Sequence, residues 1–155
     1  MRYLTCREAD DWNVRLHEAD LGDLQAAAAV ISSEIGGMST FPFTYQGTDY
    51  TIFYDDEVFM KGKDKIVVSL YIQGNADLSY LDPEGPDLVF GNFAIVKGHA
   101  HEGMFTSLSD EAVQQVSNFI IESDSKLKAM KKSKLFQKNE VIRPQVVKHT
   151  RTMQN

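Results

Sequence analysis

Residues 86–121 read PDLVFGNFAIVKGHAHEGMFTSLSDEAVQQVSNFII. In an extended backbone Leu88, Phe90, Asn92, Ala94 and Val96 fall on one face, and Val89, Gly91, Phe93 and Ile95 on the other. Both faces are largely apolar, which predicts a single interior strand over residues 88–97, covered on both sides. Gly98 and Gly103 then bracket His99, Ala100, His101 and Glu102 in a tight excursion. Ser109 can accept a hydrogen bond from the free N–H groups of a helix start, and Asp110 and Glu111 put negative charge in its first turn. Val113, Val116, Phe119 and Ile120 recur at helical spacing, so a helix over residues 109–126 presents an apolar face inward.

Upstream, Tyr3, Leu4 and Cys6 predict a short first strand, punctuated by Asp10-Asp11, and Trp12, Val14 and Leu16 a second. Residues 20–35 read as a helix, with Leu21, Leu24, Ala28, Ile31 and Ile35 on one side and Asp20 as N-cap. Gly36-Gly37 stops it, Gly36 suiting the left-handed C-cap. Phe41, Phe43 and Tyr45 alternate around Pro42, which marks an edge strand. After a turn at residues 47–49, Tyr50, Ile52 and Tyr54 share one face of another strand. Residues 66–72 form a short, dense apolar segment, strand or helix, and Pro83-Glu84-Gly85-Pro86 is a strong turn signal.

At 155 residues, 43% of them hydrophobic, the chain fits one domain with a real core. The fold expected is α+β: a mixed or largely antiparallel sheet of four to six strands packed by two main helices. Charge is divided unevenly. Through Ser125 there are 7 Lys and Arg against 21 Asp and Glu, a balance of −14; from Lys126 onward there are 9 against 1, a balance of +8. The division at residue 125 separates an acidic α+β body, residues 1–125, from a basic C-terminal extension, residues 126–155. Acidity in the body opposes nucleic acid, leaving the tail with Lys131, Lys132 and Lys134 as the one nucleic-acid element. The tail can also dock on an acidic face, its own or a neighbouring copy's, and so make a homo-oligomer.

No apolar run approaches the roughly 20 residues of a membrane helix. The N-terminal MRYLTCREADDW turns acidic too early for a secretory signal. Cys6 is the single cysteine, so no intramolecular disulfide forms and a reducing compartment is expected. A lone thiol inside a strand reads as a small core residue rather than a nucleophile.

His99 and His101, two apart, point the same way on an extended backbone and could offer two imidazoles to a metal. The third ligand would be His17, Glu102 or His149. The structural alternative is a polar hairpin or strand-to-helix loop with solvated histidines, and neither metal nor cofactor is expected. Asp55, Asp56, Glu57 and Asp64 cluster at a turn without calcium-loop spacing. Phosphate-binding glycine motifs and a nucleophile elbow are not in the sequence.

The helix-ending Leu24-Gln25 through Ile35-Gly36-Gly37, a hairpin of acidic and aromatic residues, then LVFGNFAIV ahead of SLSDEAVQQV form a pattern. It resembles a family of small phage and mobile-element proteins catalogued as a domain of unknown function, over residues 21–116. The resemblance implies an accessory protein of a bacteriophage, plasmid or conjugative element. With no catalytic constellation in view, the expectation is a non-enzymatic protein in the host bacterial cytoplasm that binds a host factor to counter host defence. A second reading is a binder that sequesters a nucleotide-type signal in an aromatic pocket. A third is a metal-dependent enzyme using His99 and His101. The candidate ligand- or partner-binding residues are His99, His101, Glu102, Tyr50, Tyr54, Lys131, Lys132 and Lys134.

Overall fold

Strand β7, Phe93–His99, is the axis of the molecule. The computed structural model describes residues 1–19, 24–37, 39–60, 68–72, 88–99 and 104–129. On one side β7 pairs antiparallel with β4, Thr48–Tyr54; on the other it pairs with β1, Arg2–Cys6, and beyond β1 with β8, Met104–Thr106. Adding β2, Val14–Glu18, outside β1 and β3, Ser39–Tyr45, outside β4 gives a six-stranded antiparallel sheet in the order β2-β1-β7-β4-β3, with β8 attached to β7. Helix α1, Leu24–Ile35, covers one face of this sheet. Helix α2, Asp110–Ala129, covers the other, together with a second, two-stranded sheet of β5, Val68–Tyr71, and β6, Leu88–Phe90. The α+β fold with two main helices is therefore the one the apolar periodicity predicts.

Side-chain parity along β7 sorts the core. Phe93 and Ile95 join Leu4, Leu16, Ile52, Leu70, Val116 and Ile120 on the α2 side. Ala94 and Val96 join Tyr3, Phe53, Ile31 and Ile35 on the α1 side.

One expectation fails. Residues 88–97 are not a single strand: β6 ends at Phe90 and β7 begins at Phe93, in different sheets. Gly91 has φ 80°, a left-handed value that breaks an extended run and that glycine adopts without penalty. Asn92 then ties the break in place. Its Oδ1 accepts the Glu8 N–H at 2.8 Å and its Nδ2 donates to the Ile35 carbonyl at 3.3 Å. Ser69 Oγ, on β5, donates to the Gly91 carbonyl at 2.6 Å. Burial on both faces could be read from the apolar run; the change of sheet within it could not.

Both helix termini follow the sequence signals where they are described. Ser109 Oγ accepts the Ala112 N–H at 3.1 Å at the start of α2. Gly36, at φ 82°, ends α1 and donates its N–H to Ser32 O at 2.8 Å. The expected N-cap Asp20 lies outside the described residues. Helix α2 runs beyond Ser125 to Ala129, and Leu127 in that last turn is fully buried. The β3–β4 turn falls at Gln46-Gly47, φ 50° and 80°, one residue earlier than expected. Two positive φ values in a two-residue loop match the right-handed twist of a hairpin. The segment 66–72 resolves as a strand over Val68–Tyr71, and Pro42 does lie on the edge strand.

Candidate functional site: an aromatic groove beside the edge strand

Among the described strands β3 is terminal, so one flank of it has no strand partner. Its residues alternate between half-buried Phe41, Phe43, Tyr45 and exposed Thr40, Pro42, Thr44. The half-buried set faces α2 across a gap, and the gap is an open groove of about 350 Å³. Phe43, Tyr45, Phe119, Ile72, Glu122 and Lys126 are among its lining residues. The groove exists because α2 packs on β5, leaving the outermost strand incompletely covered.

Aromatic rings build its floor. Phe43 stacks on Tyr50 at 5.4 Å between centroids and on Phe119 at 4.8 Å, both at 27°. Tyr45 meets Phe119 edge-on at 5.3 Å and 62°. Such offset and edge contacts satisfy the ring quadrupoles and hold the rings at fixed angles. The Tyr45 hydroxyl donates to Glu122 Oε1 at 2.9 Å. Burial, then that carboxylate, raises the Tyr45 phenol above its ordinary range, so it stays protonated and a donor. Lys126, one helical turn beyond Glu122, places Nζ 5.4 Å from the Tyr71 ring centroid, a cation–π distance. The groove therefore offers ring faces, one exposed carboxylate and one exposed ammonium.

A second polar cluster lies on the α1 face. Thr5 Oγ1 and His17 Nε2 are 2.6 Å apart, His17 Nδ1 is 3.8 Å from Glu34 Oε2, and Tyr3 donates its hydroxyl to Glu34 Oε1. Asp10 takes Arg7 at 2.9 Å and Arg15 at 3.3 Å. Burial alone would raise the Asp10 carboxyl, but the two guanidiniums outweigh it and hold it below the usual carboxylate range. Burial lowers the His17 imidazole, with Arg7 and Arg15 adding to that and Glu34 and Asp10 opposing it. Hydroxyl, imidazole and carboxylate stand in the order of a nucleophile, a base and its orienter. Thr5 is only 1% exposed, however, so its oxygen cannot meet a substrate. The cluster is a latch that ties α1 to the β1–β2 hairpin.

The candidate residues named from the sequence scatter. Tyr50 is fully buried and donates its hydroxyl to Gln115 at 2.9 Å, so it supports the groove from beneath rather than lining it. Tyr54 is half-buried against the α2-side core. His99 ends β7, paired with Met104, and Gly98 before it is paired with Phe105 inside the β7–β8 ladder, while Gly103 lies outside the described residues. His101, Glu102, Lys131, Lys132 and Lys134 lie outside the described residues, as do Asp64 and His149. His17 has its ring nitrogens turned to Thr5 and Glu34. No group of three or more His, Cys, Asp and Glu among the described residues could hold a metal ion. Cys6 is fully buried, and burial, then Asp10, pushes its thiol up, leaving it neutral.

Phe119, Glu122 and Lys126 were not singled out for function from the sequence. Their spacing of three and four on α2 places them on one side of the helix, and that spacing was the available signal. No protein-family model, curated protein or solved structure matches this chain. No helix among the described residues is long and apolar enough to cross a membrane.

Proposed function

We propose that this chain is a non-enzymatic binding protein whose β3–α2 groove captures a segment of another protein. The observation that carries this is the juxtaposition of the outer β3 flank, which has no strand partner among the described residues, with a ring-floored groove of about 350 Å³. An exposed strand edge supplies backbone hydrogen bonds and a groove beside it supplies side-chain selectivity, the two requirements of strand addition. The setting follows from the resemblance: an accessory protein of a phage or mobile element, acting on a host factor in the bacterial cytoplasm, against host defence.

The groove also has the dimensions of a small-molecule site, and Lys126 beside aromatic rings supports the second reading, a sequestered nucleotide-type signal. Glu122 in the same groove opposes phosphate, so the protein partner is preferred.

The test is a pull-down from bacterial lysate with the parent chain and with Tyr45→Ala, Glu122→Gln and the remote control Glu18→Gln. A protein retained by parent and control and lost from both groove variants is the expected result. A partner retained by all four would place binding elsewhere. Intact small molecule released on heating, without any protein, would shift the assignment to the second reading.

A further inference from the structure

We infer that the segment taken by the groove is an extended strand carrying an arginine, whose guanidinium lies on the Tyr45 ring and pairs with Glu122. This rests on the protein-binding reading of the groove and adds the chemistry of its occupant.

The hairpin register determines what β3 offers a newcomer. Tyr45 and Thr48 flank the two-residue turn and form the closing pair, which in such a hairpin exchanges both hydrogen bonds. Counting back by two, Phe43 and Phe41 also direct their backbone groups to β4. Thr40, Pro42 and Thr44 therefore direct theirs outward. Thr40 and Thr44 offer a donor and an acceptor each, while Pro42 offers a carbonyl alone. A foreign strand can pair at both threonines. Two copies of β3 meeting about Pro42 would face two missing donors at the centre, which disfavours a second copy as the occupant.

Charge then selects among foreign strands. Glu122 is exposed, and its one described polar contact is the Tyr45 hydroxyl on Oε1. Lys126, at i+4 and within reach, is placed over Tyr71 instead. The carboxylate is thus available to a cation brought by the partner. Over the described surface as a whole, nine carboxylates from Glu8 to Glu122 are exposed, while Lys126 is the one cationic side chain described as exposed. Ring faces carry the negative end of the quadrupole, so the floor favours a cation as well. A planar guanidinium can lie flat on a ring and pair with a carboxylate through two parallel N–H bonds at once, a fork that a compact ammonium lacks.

The test is fluorescence polarisation of the full chain with a fluorescein-labelled octapeptide of alternating threonine and valine, arginine near its centre. Matching peptides carry lysine, glutamine or glutamate there. Expected is binding of the arginine peptide at least about tenfold tighter than the glutamine one, weakening with salt, with that preference collapsing to under about twofold in Glu122→Gln. Equal binding of the arginine and glutamine peptides would overturn the arginine inference and leave the protein-binding reading standing. No binding by any of the four, or tighter retention of a nucleoside triphosphate than of any peptide, would overturn both. A tenfold gain in arginine-peptide affinity on changing Lys131, Lys132 and Lys134 to glutamate would name the chain's own basic segment as the occupant and overturn the foreign one.

Discussion

Tyr45 and Glu122, 77 residues apart in sequence, are joined by a 2.9 Å hydrogen bond that ties the edge strand β3 to helix α2. The bond spans one rim of the groove and is exposed. Tyr45→Phe removes it while leaving the ring on Phe119, so it should cost about 0.5–1 kcal/mol or less, because water competes for both partners. Tyr45→Ala also removes the ring contacts and should cost more. Urea denaturation of both variants reads the difference; equal losses would show that the hydrogen bond, not the ring, holds β3 to α2.

Phe93 is 1% exposed and stands where β7 lies between β1 and β4. Phe93→Ala should cost about 3–5 kcal/mol, since a ring-sized cavity opens in a layer held on both sides. A melting temperature within a couple of degrees of the parent would contradict the placement of β7 at the centre.

Two glycines separate close packing from backbone conformation. A Cβ on Gly37 would lie 2.3 Å from Asp55 Cα and 2.7 Å from the Tyr54 carbonyl oxygen, both backbone atoms. A Cβ on Gly47 would meet nothing within 4 Å, but φ is +80° there. Gly47→Ala should therefore cost about 1–2 kcal/mol from left-handed strain alone. Gly37→Ala should cost distinctly more, because β4 and the α1–β3 connection would have to move apart. Denaturant midpoints of the two variants give the order, and a smaller loss at Gly37 would refute the contact.

Acid should loosen the molecule in two steps. The folded-state value of His17 is depressed, so below about pH 6.5 the unfolded chain binds a proton that the folded chain resists. Stability contributed this way is complete above that pH and is lost as pH falls toward the folded value. Asp10 is depressed by its arginines, so a further loss should follow as pH falls below about 3.9 toward its folded value. Urea unfolding between about pH 7.5 and pH 5 should show a decline that His17→Gln flattens. A decline of the same slope in that variant would assign it to other groups.

Leu127 is fully buried although it stands beyond Ser125, where the charge balance changes sign. Leu127→Ala should cost about 2–5 kcal/mol, as for an ordinary core leucine. Thermal melts of this variant and of exposed Ile121→Ala would check it. A comparable, small effect at both would mean that the last turn of α2 does not belong to the core.

Several features were legible because they rest on local patterns. The interior position of β7 follows from an apolar run on both faces, Pro42 marks an edge because it lacks a donor, and Ser109 and Gly36 bound helices through their own backbone chemistry. The groove was not legible in this way. Its residues come from β3, the end of β5 and α2, and only the packing of α2 on β5 leaves the rings of Phe43, Tyr45 and Phe119 around a gap.

The sequence by itself determined the α+β class, the helix termini at Gly36 and Ser109, and the division between an acidic body and a basic extension, since each depends on neighbours along the chain. Tertiary structure alone decided three things. Residues 88–97 divide between two sheets because Asn92 finds Glu8 and Ile35, and Ser69 finds Gly91. His17 became part of a latch because β1, β2 and α1 converge on it. Tyr50 went beneath the groove while Tyr45 stayed at its rim, because side-chain depth depends on what α2 covers, and α2 covers β4 more fully than the edge strand beside it.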